Sequence, residues 1–473
     1  MILEKEKSLN QSPFYSHTKE YAVNNPQITG NIPDWLNGNL LRTSSANFDF
    51  KDSSYKHWFD GLCLLYSFSF DQGKVSYQSK FLQSDDYIQA TQNDKVVYSS
   101  FGTGVNRSLF KKLKDIIKPT KNYKPNANVN ITRINNDFVA MTEIPAYVKF
   151  SEKDLSTLDL FNFNDEIKAQ VTTAHPHFDF KTNEFYNMAI SFSATSNYIF
   201  YKMKHGSDKR EIVAQISTKS PCYVHSFGMT ENYLIFAECP LEVNPLNLIF
   251  SNNPFIENYK WNPENGSKFH IIEKSTGKYR TIETESFFSF HNINAFELNN
   301  QIILDLVAFD DSKIINSFYL DKLNNNEKLP NSRFKRFTFD LNKSTVKSES
   351  VYDISVELPR INYKKNNTKE YNYVYMNSQS DQYSFLNQIV MMDINKRSVK
   401  TWEEENCYPG EPVFVEKPNS IKENDGVILS VVMNTKNKES FLLILDANNF
   451  SEFARINVGH SIPLGFHGQF FKV

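Results

Sequence analysis

Residues 62–81 read Leu-Cys-Leu-Leu-Tyr-Ser-Phe-Ser-Phe-Asp-Gln-Gly-Lys-Val-Ser-Tyr-Gln-Ser-Lys-Phe. Leu62–Phe70 is a strand-like run, Asp71-Gln72-Gly73 is a turn signal, and Lys74–Phe81 is a second run, so the stretch predicts a β-hairpin. The same cadence recurs in Tyr233–Ala237 with Phe269–Ile272, Ala295–Leu298 with Ile302–Val307, and Gly426–Met433 with Ser440–Leu445. Phe337–Leu341 and Ser344–Glu349 flank another turn. Many short strands joined this way predict an all-β sandwich, barrel or propeller. There is no strict internal repeat, so periodicity does not choose among them.

A chain of 473 residues ordinarily suggests two or three domains. Large all-β rings break that rule, and the expectation is one domain over residues 31–473 behind a polar arm, residues 1–30, packed on the outside. The Asn- and Lys-rich stretches Asn324–Asn331, Lys364–Asn372 and Asn434–Lys438 read as solvated loops.

A net charge of −2 gives no reason to expect nucleic-acid binding. The four cysteines, Cys63, Cys222, Cys239 and Cys407, have no metal or redox spacing. With no disulfide framework, a reducing cytoplasm is the expected compartment. The N-terminus carries no apolar core of signal-peptide length, and runs such as Phe441–Leu445 are too short to span a bilayer. Aromatic residues make up 14% of the chain, with 40 Phe and 24 Tyr. They suit pleated surfaces, and they also suit the lining of an apolar tunnel.

Four histidines stand in short motifs of their own. His175 lies in Thr-Ala-His-Pro-His, His225 in Val-His-Ser-Phe-Gly, His291 in Phe-Phe-Ser-Phe-His-Asn-Ile-Asn-Ala-Phe-Glu, and His467 in Gly-Phe-His-Gly. Neutral imidazole is the commonest side-chain ligand for iron, copper and zinc. A lone His beside aromatics is more often a hydrogen-bonded core residue, and no compact metal-ligand pair exists here. Four such residues far apart in sequence suit a fold whose strands converge on one axis.

Together with Asn-Ile-Pro-Asp-Trp-Leu-Asn-Gly-Asn-Leu-Leu-Arg (31–42), His-Trp-Phe-Asp-Gly (57–61), Ser-Phe-Gly-Met-Thr-Glu-Asn-Tyr (226–233), Glu-Leu-Pro-Arg-Ile-Asn (357–362) and Glu-Pro-Val-Phe-Val (411–415), these motifs resemble the carotenoid cleavage oxygenase family. The resemblance runs from about Asn31 to the C-terminus. It implies a seven-bladed β-propeller with a cap of loops and short helices over an Fe(2+) centre held by His175, His225, His291 and His467. Four neutral imidazoles offset none of the metal's charge, and an uncompensated buried cation is costly. Carboxylates behind the ligands answer that cost; the family pattern puts them at Glu143, Glu357 and Glu411. His57 belongs to a motif that is structural in the family. His177 is a decoy beside His175, and His17, His205, His270 and His460 match no ligand motif. Phe101, Val129 and Thr142 are implied to touch substrate, Val129 with a methyl group beside an open metal position.

The implied activity is cleavage of a conjugated double bond of a carotenoid by O2, most closely the central cleavage of β-carotene to retinal. The alternatives are an apocarotenoid- or stilbene-cleaving dioxygenase, or a retinyl-ester isomerohydrolase using the same iron. A protein that only binds retinoid has no need of the four ligands. Residues 105–118 carry apolar Leu109, Phe110, Leu113, Ile116 and Ile117 at helical spacing among lysines. That stripe reads either as a surface helix packed on the propeller or as an interfacial helix. A water-insoluble carotenoid substrate and the resemblance, which places a membrane-binding apolar segment here, imply a peripheral membrane contact, with the apolar loop Asn244–Phe255 joining it. No protein partner is evident.

Overall fold

The structure, a computed structural model, describes residues 12–105, 123–380 and 384–472. Their strands form eight sheets, one of them a two-stranded ribbon, Leu241–Val243 with Tyr259–Trp261. The other seven are antiparallel blades following one another along the chain, the seven-bladed propeller implied by the motifs. The hairpin at 62–81 is present, with strands Leu62–Asp71 and Lys74–Phe81 in the first blade. Blade-centre strands are buried on both faces, Val427–Met433 throughout, so they read as unbroken apolar runs rather than as alternation.

Both ends of the chain close the ring. The C-terminal strand Gly465–Lys472 pairs with Gly38–Asn47 in the first blade. The arm is outside only in part: Phe14 is buried in the core with its ring against Trp58 and Phe385, whereas Tyr21–Asn24 pairs with Lys74–Phe81, and Gln27–Gly30 with Glu452–Asn457 of the last blade. It thus covers the outer edges of the two blades that meet at the seam.

Short helices lie between strands, among them Asp85–Asn93, Pro245–Phe250, Lys313–Ser317 and Leu320–Asn324. Two expectations need correction. Asn244–Phe255 is not a plain loop, because Asn244 Oδ1 accepts the Leu246 amide at 3.0 Å and Pro245 takes the first helical position, together starting the helix Pro245–Phe250. Lys364–Asn372 is not a solvated loop throughout. Asn366 and Asn367 are buried, with Asn367 donating to Phe178 O at 3.0 Å and Asn294 donating to Asn366 O at 3.0 Å.

Candidate metal centre

Each blade delivers one of the seven predicted residues to the axis. His175 follows the inner strand Val171–Thr172, His225 precedes Gly228–Met229, His291 precedes Asn292–Leu298, and His467 lies within Gly465–Lys472. Glu143 comes from the turn after Asp137–Met141, Glu357 from Val356–Arg360, and Glu411 from between Cys407–Pro409 and Val413–Glu416. Ligands far apart in sequence therefore meet because each blade's inner edge ends at the same channel.

The four imidazoles converge, each offering one nitrogen, with all four nitrogens within 4.8 Å of one another. His175 Nε2 lies 3.0 Å from His225 Nε2, and His291 Nε2 lies 3.2 Å from His467 Nε2. The opposite nitrogens face carboxylates. His225 Nδ1 donates to Glu143 at 2.8 Å, His291 Nδ1 to Glu357 at 2.5 Å, and His467 Nδ1 to Glu411 at 2.8 Å. These bonds place the proton on Nδ1 and leave lone pairs on the Nε2 atoms that face one another. Burial, followed by mutual repulsion within the cluster, holds His175 and His467 well below the usual imidazole pKa. Burial also lowers that of His225 against the opposing pull of Glu143.

Lone pairs aimed at each other around 3 Å apart repel unless a cation sits among them. Two imidazoles on neighbouring corners of an ion, each about 2.1 Å from it, stand about 3 Å apart. The donor set therefore fits one first-row divalent ion.

The three carboxylates are held differently. Glu143 Oε1 also accepts Tyr223 Oη at 2.7 Å. Glu357 Oε2 also accepts the Leu358 amide at 2.7 Å, while its Oε1 is buried without a partner. Leu358 has φ 53 immediately before Pro359, at a break in register between Glu357 and Arg360. That left-handed conformation is unfavourable for leucine, and it turns the amide back onto its neighbour's carboxylate. Glu411 uses both oxygens: Oε1 toward His467 and, at 3.6 Å, Arg360; Oε2 toward the Gly468 amide at 3.2 Å and Arg42 at 3.4 Å. Gly468 is required by space, since a Cβ there would meet Arg42 Cγ and the Leu41 carbonyl at 2.4 Å.

A cavity opens beside the cluster. His225, His291, His467, Glu143 and Glu357 line it, as do Phe101, Val129 and Thr142. Its walls are mainly aromatic and aliphatic: Trp58, Phe59, Phe290, Phe309, Phe318 and Phe466 among them. Phe290 and Phe466 stand immediately before His291 and His467, a cue that the ligand motifs carried and the sequence reading did not use. Trp58 and Phe59 of His-Trp-Phe-Asp-Gly also wall the cavity. His57 itself is buried, with Nε2 2.9 Å from Ile315 O and Nδ1 accepting the Phe59 amide at 3.1 Å.

The other histidines stay outside the cluster. His177 is engaged at both nitrogens, by Phe227 O at 2.8 Å and Tyr363 Oη at 2.9 Å. His270 bonds Glu238 and Thr281. Of the predicted membrane contact, 106–118 lies outside the described residues. The helix Pro245–Phe250 packs Leu248 on the core and leaves Leu246 and Phe250 56% and 62% exposed. No helix among the described residues is long and apolar enough to cross a membrane.

The family model described as retinal pigment epithelial membrane protein matches residues 14–472. The chain belongs to that family. It is 32% identical to the β,β-carotene 15,15'-dioxygenase of Gallus gallus, with 94% of each chain covered. It is 31% identical to the mitochondrial carotenoid-cleaving dioxygenase of Homo sapiens, over 94% of this chain and 88% of the relative. Among solved structures, the cobalt-substituted Synechocystis apocarotenoid oxygenase superposes with a TM-score of 0.87 at 24% identity, covering 99% of both chains. That likeness speaks to the fold.

Proposed function

We propose that this protein is a non-haem Fe(II) dioxygenase that cleaves a conjugated double bond of a carotenoid, with β-carotene cleaved centrally to two molecules of retinal. One observation carries the reading: the imidazole cluster that fits a divalent ion also forms part of the wall of an aromatic cavity. A polyene lying in that cavity has its double bonds beside the ion. The 32% identity to a β,β-carotene 15,15'-dioxygenase supports this substrate and this bond.

His175, His225, His291 and His467 hold the iron, which supplies the activation of O2 that the reaction needs. Glu143, Glu357 and Glu411 fix the rings of three ligands and answer part of the ion's charge. Phe101, Val129 and Thr142 contact substrate, with Phe59, Phe290 and Phe318 completing the slot. The apolar wall excludes water from the bond to be broken. No protein nucleophile takes part. Residues 31–473 act as one domain with 1–30 as its arm. The enzyme works at the cytoplasmic face of a membrane as a peripheral protein, since its substrate resides in lipid; exposed Leu246 and Phe250 support that contact.

The test is incubation of iron-loaded protein with β-carotene in detergent under air, with chromatography of products and an oxygen electrode. Retinal as sole product, with one O2 consumed per carotene, is expected. Two unequal carbonyl products would move cleavage to an eccentric bond. Turnover of a retinyl ester without O2 uptake would replace the reading with isomerohydrolysis.

A further inference from the structure

Of the three carboxylates behind the imidazoles, only Glu411 meets cations. Arg42 Nη1 reaches its Oε2 at 3.4 Å and Arg360 Nη1 its Oε1 at 3.6 Å. Among the described residues, no Lys or Arg pairs with Glu143 or Glu357; their ion pairs are with His225 and His291 alone. The two guanidiniums also grip the ligand strand on either side of His467. Arg42 donates to Phe466 O at 3.0 Å and Arg360 to Gly468 O at 2.7 Å. Arg42 is almost wholly buried, whereas the Arg360 side chain is 25% exposed.

We infer that Arg360, together with Arg42, sets the charge of the metal centre by neutralising Glu411, so that the charge of a bound divalent ion is only partly answered and the centre keeps an affinity for a small monoanion. The inference rests on the metal-centre reading above. Three carboxylates bring three negative charges and the two arginines return two positive ones. The protein thus offers one net negative charge to a 2+ ion, and the filled centre is left with one net positive charge. Glu143 and Glu357 are the carboxylates whose charge remains available to the ion. Arg360 is a positioning residue with an electrostatic role and does not line the cavity.

A purely structural arginine and a charge-setting one predict opposite signs. Arg360→Met removes the charge and keeps much of the side chain's bulk; Arg360→Lys keeps the charge and loses the forked geometry. Metal-free wild type and both variants are titrated anaerobically with Co2+, read by the visible spectrum of the bound ion. The Co2+-loaded proteins are then titrated with azide, and a thermal melt verifies that each is folded. Arg360→Met should bind Co2+ about tenfold more tightly and azide about tenfold more weakly, as expected when one screened like charge is removed. Arg360→Lys should stay near wild type in both. Weaker or unchanged Co2+ binding by folded Arg360→Met, or Arg360→Lys behaving like Arg360→Met, would overturn the inference while leaving the four-imidazole site standing. A wild type that binds no Co2+ would remove the metal-centre reading and this inference with it.

Discussion

Replacing each supporting carboxylate by glutamine should not give three equal effects. At Glu357, both donors, His291 Nδ1 and the Leu358 amide, use the same oxygen. A glutamine carbonyl can take that place, and its NH2 then occupies the position of the unpartnered Oε1. Both accepted bonds survive; what is lost is the charge, which makes a hydrogen bond roughly twice as strong as a neutral one. Glu143 has the same arrangement, with Tyr223 Oη and His225 Nδ1 on one oxygen. Metal affinity should fall by about tenfold in each, the lower end of the range for ligand-supporting groups. At Glu411 both oxygens accept, so a glutamine NH2 faces a donor in either orientation. Arg42, buried against it, also loses its counter-charge. Affinity should fall by about 100-fold, and the metal-free protein should lose about 3 kcal/mol or more, the cost of stranding a buried charge. Co2+ titration of the three variants measures the first effect and urea unfolding in chelator the second. Equal losses at all three sites, or Glu411→Gln proving the mildest, would refute the reasoning from oxygen use.

His291→Ala should lose most iron and nearly all turnover, because it removes one of four donors and strands Glu357; metal analysis by mass spectrometry decides, and full occupancy with normal activity would remove His291 from the site. Stability should fall in mild acid through His57, whose pKa burial pulls down to about 4: the unfolded chain, with a value near 6.5, binds more protons between those limits, so the contribution is complete above about 6.5 and up to ~3 kcal/mol is lost as pH falls to 4. His57→Gln should therefore show a shallower fall of melting temperature between pH 7 and 5, and an unchanged slope would place that acid sensitivity elsewhere. Serine at both Leu246 and Phe250 should reduce co-sedimentation with liposomes and turnover of vesicle-borne carotenoid while sparing turnover in detergent; unchanged sedimentation would exclude this helix from the membrane contact.

The hairpins were legible because each strand pair lies close in sequence with its turn between. The number of blades was not, because the cadence is broken where they are assembled. The strands Tyr233–Glu238 and Ser267–Glu273 pair across an excursion holding a ribbon and a helix, and the arm supplies outer strands to two blades. The four histidines and three glutamates could be picked out because each sits in a contiguous motif. Arg42 ends the 31–42 motif, yet its meaning depends on Glu411, 369 residues away. Tyr223 stood two residues before His225, but only its contact with Glu143 shows why. Cavity walls follow the same rule: Phe290 and Phe466 adjoin ligands, whereas Leu329, Pro330 and Leu386 arrive on separate connections. Buried Asn366 and Asn367 show the converse failure, since local polarity predicts solvent exposure and cannot register backbone groups that need partners.

Closure of the ring and completion of the ligand set are the same structural event. His467 lies on the last strand, which joins the first blade through its pairing with Gly38–Asn47. Arg42, on that partner strand, donates to Phe466 O and Glu411 O, tying the first blade to the last across the seam. Opening this seam takes His467 away from the other three ligands, which stand on three further blades. An ion that binds only the closed ring therefore stabilises it by mass action, about 2.7 kcal/mol at a concentration 100 times its dissociation constant. A propeller whose first and last strands meet by non-local pairing seals there by the longest loop closure in the chain. A metal held by these rings, which repel one another without it, would act at that joint. The geometry that brings four imidazoles together would then also make a bound ion a fastener for the fold.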